Sequence, residues 1–139
     1  VSWDPFLRSS KFQVIRAFFE LFNVHWILKK KGIQGILDRI EMISKKKINL
    51  IVPSEQDISN LSEVVDAASL LYSKKTFCLA WASTFVILAL KRNWKCNLAI
   101  GVQANPFYAH AWAESSNNVV HDDSIISQVL SVVLRKPNL

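Results

Sequence analysis

Residues 76–102 read TFCLAWASTFVILALKRNWKCNLAIGV, and a change of period inside this stretch decides the fold. From Phe77 to Leu90 the run is nearly all apolar, with Thr76 as a candidate N-cap, and it reads as a buried helix. At about 14 residues it falls short of the ~20 that a bilayer-spanning helix needs, so no membrane span is expected. Asn93 then offers a residue that tolerates the left-handed conformation in which many helices end. Beyond it, Asn97 to Val102 alternates and is rich in strand-forming residues. A helical period that gives way to a period of two predicts an α+β fold: N-terminal helices followed by a small antiparallel sheet.

Toward the C-terminus, Tyr108 to Glu114 alternates Tyr, His, Trp and Glu against three alanines, which predicts a second strand. Ser115-Ser116-Asn117-Asn118 is a hairpin turn signal, and Val119 to Asp122 pairs back as a third strand. Ser124 can cap a short final helix over 125–134. Toward the N-terminus, Ser54 with Asp57 marks the start of a helix that runs to about Tyr72. A short extended piece is expected over 48–52, and a helix over 33–44. Gly32 is placed to end the first helix, which begins near Lys11. Its Phe12, Ile15, Phe18, Phe19, Phe22 and Trp26 repeat at helical spacing and are expected to face the core, with His25 as a packed or surface residue. The whole reads as one domain over 1–139, helical over about 11–92, with the sheet and final helix over about 96–134.

Half the residues are apolar and a fifth are charged, a globular composition. The net charge of +6 is spread over short runs such as Lys29-Lys30-Lys31 and Lys45-Lys46-Lys47. These runs fall at expected helix ends, where Lys suits the dipole, and this argues against nucleic acid as a partner. Two cysteines make no disulfide framework, which fits a reducing cytoplasm. Val1-Ser2-Trp3-Asp4 does not read as the start of a signal peptide, and none is expected over these residues.

Three residues stand out chemically. Cys78 falls in the first turn of the apolar helix, where unpaired N–H groups and the dipole favour a thiolate. His110 can serve as its base, delivered from a strand, and Asp122 can orient the imidazole from the adjacent strand. Asp123 is a rival for the third role. Glu114 shares the strand face of His110, His121 reads as a surface turn residue, and Cys96 reads as structural. No short paired Cys or His spacing suggests zinc, and no metal or cofactor is expected.

The segments around Cys78, Leu98–Val102, Pro106–Glu114 and Val119–Asp122 resemble the transglutaminase-like leader peptidases of lasso-peptide biosynthesis, the B proteins. The Gly-Val…Pro-Phe…Ala-His-Ala-Trp…Glu block carries most of the specificity. The small hydroxyl residue common four positions after the Cys is Ala82 in this chain. The resemblance implies a transglutaminase-like or papain-like cysteine protease core, with Cys78 as nucleophile, His110 as general base and acid, and Asp122 as orienter. It implies a bacterial cytoplasmic enzyme that cuts the leader from a ribosomally made precursor. Its expected partners are the precursor peptide, a leader-recognition element (a separate protein or an N-terminal domain) and an ATP-dependent lasso cyclase. The alternatives are an amide-forming acyltransferase with the same thioester chemistry, or a non-catalytic module that docks a peptide or partner enzyme.

Overall fold

A computed structural model describes residues 5–72, 78–104, 106–116, 118–120 and 130–137, with side chains from 11 onward. Three helices come first: α1 (Pro5–Lys45), α2 (Glu55–Leu71) and α3 (Cys78–Lys91). Four strands follow: β1 (Asn97–Ala104), β2 (Phe107–Ser115), β3 (Asn118–Val120) and β4 (Ser131–Lys136). This is the α+β order expected from the change of period.

Local signals explain most boundaries. Gly32, at φ 70° and ψ −162°, breaks α1 into two helical arms, so the expected stop is a kink between them. A side chain at that φ would be strained, which is why glycine stands there. The Ser54 hydroxyl accepts from the Asp57 N–H at 3.1 Å, and the Asp57 carboxylate accepts from the Ser54 N–H at 3.1 Å, closing a capping box on α2. Asn93 adopts φ 64° after α3. The Ile51 N–H donates to its carbonyl at 2.8 Å, and the Lys95 N–H donates to Ile51 O at 2.7 Å. The extended piece expected over 48–52 thus narrows to one parallel bridge, Ile51 with Trp94.

The sheet runs β3-β2-β1-β4, and every pairing is antiparallel. Its faces differ. Leu98, Ala111, Ala113 and Val120, with Ile100 and Leu134, join the main core under the helices. Ala99, Trp112 and Leu130 form a second, smaller core, with Val119 and Val132 against it.

Two expectations are corrected. The core face of α1 is Ala17, Leu21 and Val24, and not the aromatic stripe. Phe12 (62%), Ile15 (52%), Phe19 (64%), Phe22 (54%) and Trp26 (54%) are exposed, and of that stripe Phe18 alone packs on the core. The helix is apolar on two sides, and the side with smaller residues is the one packed against α2 and α3. The short final helix is also absent over 130–134: Ser131–Lys136 is β4, paired with β1. Pairing to a central strand outweighs the local helix signal from Ser124, and residues 125–129 lie outside the described ones.

Candidate active site

Cys78 is the first described residue of α3, and its side chain is exposed. From Ala82 to Leu90 every residue of that helix is buried, so the thiol sits at the open end of a core element. The expected N-cap, Thr76, lies outside the described residues. The first turn of α3 is held by a contact the sequence did not signal. The Trp81 indole N–H donates to Asp66 Oδ1 of α2 at 2.9 Å, and the Trp81 ring stacks on Phe85 at 5.5 Å. This anchors the first described turn of α3 on α2.

Cys96 is buried, and burial pushes its thiol well above the ordinary range. Only Cys78 therefore has the exposure a nucleophile needs.

His110 is half-buried on β2 and pairs across the ladder with Gly101 of β1. Alternation along β2 lines up Tyr108, His110, Trp112 and Glu114 on one face. The imidazole stacks 6.1 Å from the Tyr108 ring and 6.1 Å from the Trp112 ring. Trp112 is buried, and its indole N–H donates to Glu114 Oε2 at 3.0 Å. Arg135 of β4 donates through Nε to Glu114 Oε1 at 2.7 Å. The Glu114 hydrogen bond holds the Arg135 guanidinium above its ordinary pKa. The Glu114 part of this row was legible from alternation. Its Arg135 partner was not, because that residue fell past the end of the expected final helix.

The helices lie against the other face of the sheet, that of Ala111 and Ala113. α3 and β2 are packed together, yet no hydrogen bond joins the Cys78 thiol to His110 among the described residues. Asp122, with its rival Asp123 and with His121, lies outside them. Two of the three expected groups are thus on neighbouring elements, and the third is not described.

A second buried carboxylate, Glu20 of α1, accepts from Arg39 at 3.0 Å and Lys91 at 2.8 Å. A cleft of about 330 Å³ lined by Arg39, Met42, Ile43, Lys46, Lys47 and Lys91 opens beside it. That cleft is at the far end of α3, roughly 20 Å of helix from Cys78, and has no part in the thiol chemistry.

The family described as transglutaminase-like superfamily matches residues 20–134. The chain is 30% identical over 132 residues to the microcin J25-processing protein McjB of Escherichia coli, covering 91% of this chain and 59% of McjB. It therefore spans about three fifths of the length of that curated relative. No solved structure matches. No helix among the described residues is long and apolar enough to cross a membrane. The similarity to McjB bears out the resemblance read from the Cys78 and His110 segments, and the matched span takes in α2, α3 and the first three strands whole. On that match the chain belongs to the transglutaminase-like superfamily.

Proposed function

We propose that this chain acts in lasso-peptide maturation as a cysteine peptidase, removing the leader from a ribosomally made precursor before a partner cyclase closes the macrolactam. The observation that carries the reading is an exposed Cys78 at the first described position of a helix that is buried throughout from Ala82 to Leu90. A named processing protein is similar over nine tenths of the chain, which supports the same reading.

In this mechanism the Cys78 thiolate attacks the scissile carbonyl. Backbone N–H groups of the first turn of α3 stabilise the oxyanion. His110 protonates the departing amine, leaving an acyl-thioester on Cys78, and then activates the water that hydrolyses it. Asp122 holds the imidazole in the tautomer this needs. Because β2 presents His110 on the face away from the helices, this mechanism requires the start of α3 and the imidazole to be brought together when substrate binds. The row from Trp112 to Arg135 gives His110 a rigid backing. The precursor, a leader-recognition element and an ATP-dependent cyclase are the partners this role requires.

The test is to incubate a precursor peptide with the chain and a recognition element, and to follow leader release by mass spectrometry. Release that persists at the parent rate in Cys78→Ala refutes the proposal. The superfamily match specifically favours one second reading, amide formation by the same thioester. Added primary amine then appears in the product as an amide, where peptidase chemistry gives the free acid.

A further inference from the structure

Between Lys11 and Lys31, α1 carries two apolar stripes. Ala17, Leu21 and Val24 are buried against the rest of the fold. On another side of the helix Phe12, Ile15, Phe19, Phe22 and Trp26 are each more than half exposed. Isolated exposed apolar residues are ordinary, but five large ones in a continuous row are not. Their spacing is three, four, three and four residues, the a and d positions of a heptad. A strand or an irregular peptide has no use for that period, whereas a second helix packs along it knob into hole.

The border of the stripe is positive. Lys11, Arg16, Lys29 and Lys30 are exposed, and Lys30 Nζ lies 5.0 Å over the Trp26 ring. The single acid of residues 11–31, Glu20, is buried and held by Arg39 and Lys91, so it does not offset that charge at the surface. A second copy of this chain would bring like charges together in either direction. Paired antiparallel, Lys11 would meet Lys29 and Lys30, and paired parallel Lys11 at g would meet Arg16 at e while Lys29 at d would meet its own copy.

We propose that this face of α1 docks an amphipathic helix of a partner polypeptide, with apolar side chains at heptad spacing and Asp or Glu along its flanks. The proposal stands apart from the Cys78 chemistry and does not depend on it.

The probe is a labelled three-heptad peptide with Leu at a and d and Glu at e and g, beside a twin with Lys at e and g. Fluorescence anisotropy measures binding of each to the full chain, and sedimentation velocity reports the state of the chain alone. The acidic peptide should bind at least about tenfold tighter than its Lys twin, and more weakly as salt rises. Binding should vanish in Phe19→Glu/Phe22→Glu, with far-UV circular dichroism confirming the fold, and should weaken in Lys11→Glu/Arg16→Glu. Phe12→Gln/Phe22→Gln gives the same readout should the first variant misfold. Equal binding of both peptides, binding of neither, or binding unchanged in the Phe variants would overturn the proposal. So would a concentration-dependent dimer abolished by the same variants, which would give the face to a second copy.

Discussion

Replacing Glu114 by Ala isolates what holds the wall behind His110. The carboxylate is buried, accepting from the Trp112 indole at 3.0 Å and from Arg135 at 2.7 Å. Its removal strands a buried indole N–H, at a cost of about 1–3 kcal/mol. Loss of the buried stem adds roughly 1 kcal/mol. The Arg135 side chain is 44% exposed and rehydrates, so its share of the pair is at most about 1 kcal/mol. The expected total is about 3 kcal/mol, or roughly 10 °C in Tm for a domain of this size. Glu114→Gln keeps the volume and an acceptor for Trp112 and should cost only about 1 kcal/mol. Urea unfolding followed by far-UV circular dichroism measures both, with an unchanged m-value as the check on two-state behaviour. Near-UV dichroism should show the Trp112 ring loosened in Glu114→Ala. A cost below about 1 kcal/mol for Glu114→Ala, or an equal cost for Glu114→Gln, refutes the argument that the buried indole hydrogen bond dominates.

Native alkylation with iodoacetamide should label Cys78 at least tenfold (about one order of magnitude) faster than Cys96, whose buried thiol reacts only after unfolding. Peptide mapping of the labelled protein decides it. Glu20 sets an acid limit on stability. Burial raises its pKa, but Lys91 and Arg39 more than offset this, and the folded value lies below the ordinary one. A carboxylate depressed on folding stabilises fully above its unfolded pKa and loses that contribution as pH falls through the folded value. Glu20→Gln should therefore flatten the acid limb of a stability–pH curve, and an unchanged limb would show that the pair does not matter. At Gly101 a Cβ would fall 2.6 Å from Trp112 Cη2 and 2.9 Å from Leu130 Cβ. Gly101→Ala should cost about 1–3 kcal/mol in urea unfolding, and a neutral result would mean the Trp112 ring moves freely.

Much of the architecture was legible because each signal was local. Ser54 and Asp57 cap by side chains three residues apart, Asn93 and Gly32 act through their own φ, and the hairpin between β2 and β3 forms over a short turn. What failed depended on distant chain. Periodicity shows that α1 has apolar faces but not which one the rest of the protein covers, and the bulkier face proved to be the uncovered one. β4 is a strand because β1 has an edge for it, which no window around Ser131 could reveal. At the site, the place of Cys78 at the start of the apolar helix and the shared face of His110, Trp112 and Glu114 followed from the local pattern, whereas the exposure of the thiol did not. The side of the sheet taken by the helices did not, since alternation separates two faces without naming the one the helices cover.

β1 lies between two strands that reach it in different ways. β2 follows it directly, so β1, β2 and β3 form a meander whose closures are short, while β4 returns across a longer length of chain. Loop-closure entropy therefore orders assembly, with the meander able to form early and β4 docking late. The late strand carries Arg135 to Glu114 on one face and Lys136 to Glu41 of α1 on the other. Until it arrives, Glu114 lacks the Arg135 counter-charge. During synthesis β4 emerges after the meander, so the wall behind His110 is completed only once Arg135 has followed. Substitutions in β4 should accordingly speed unfolding while leaving the folding rate almost unchanged.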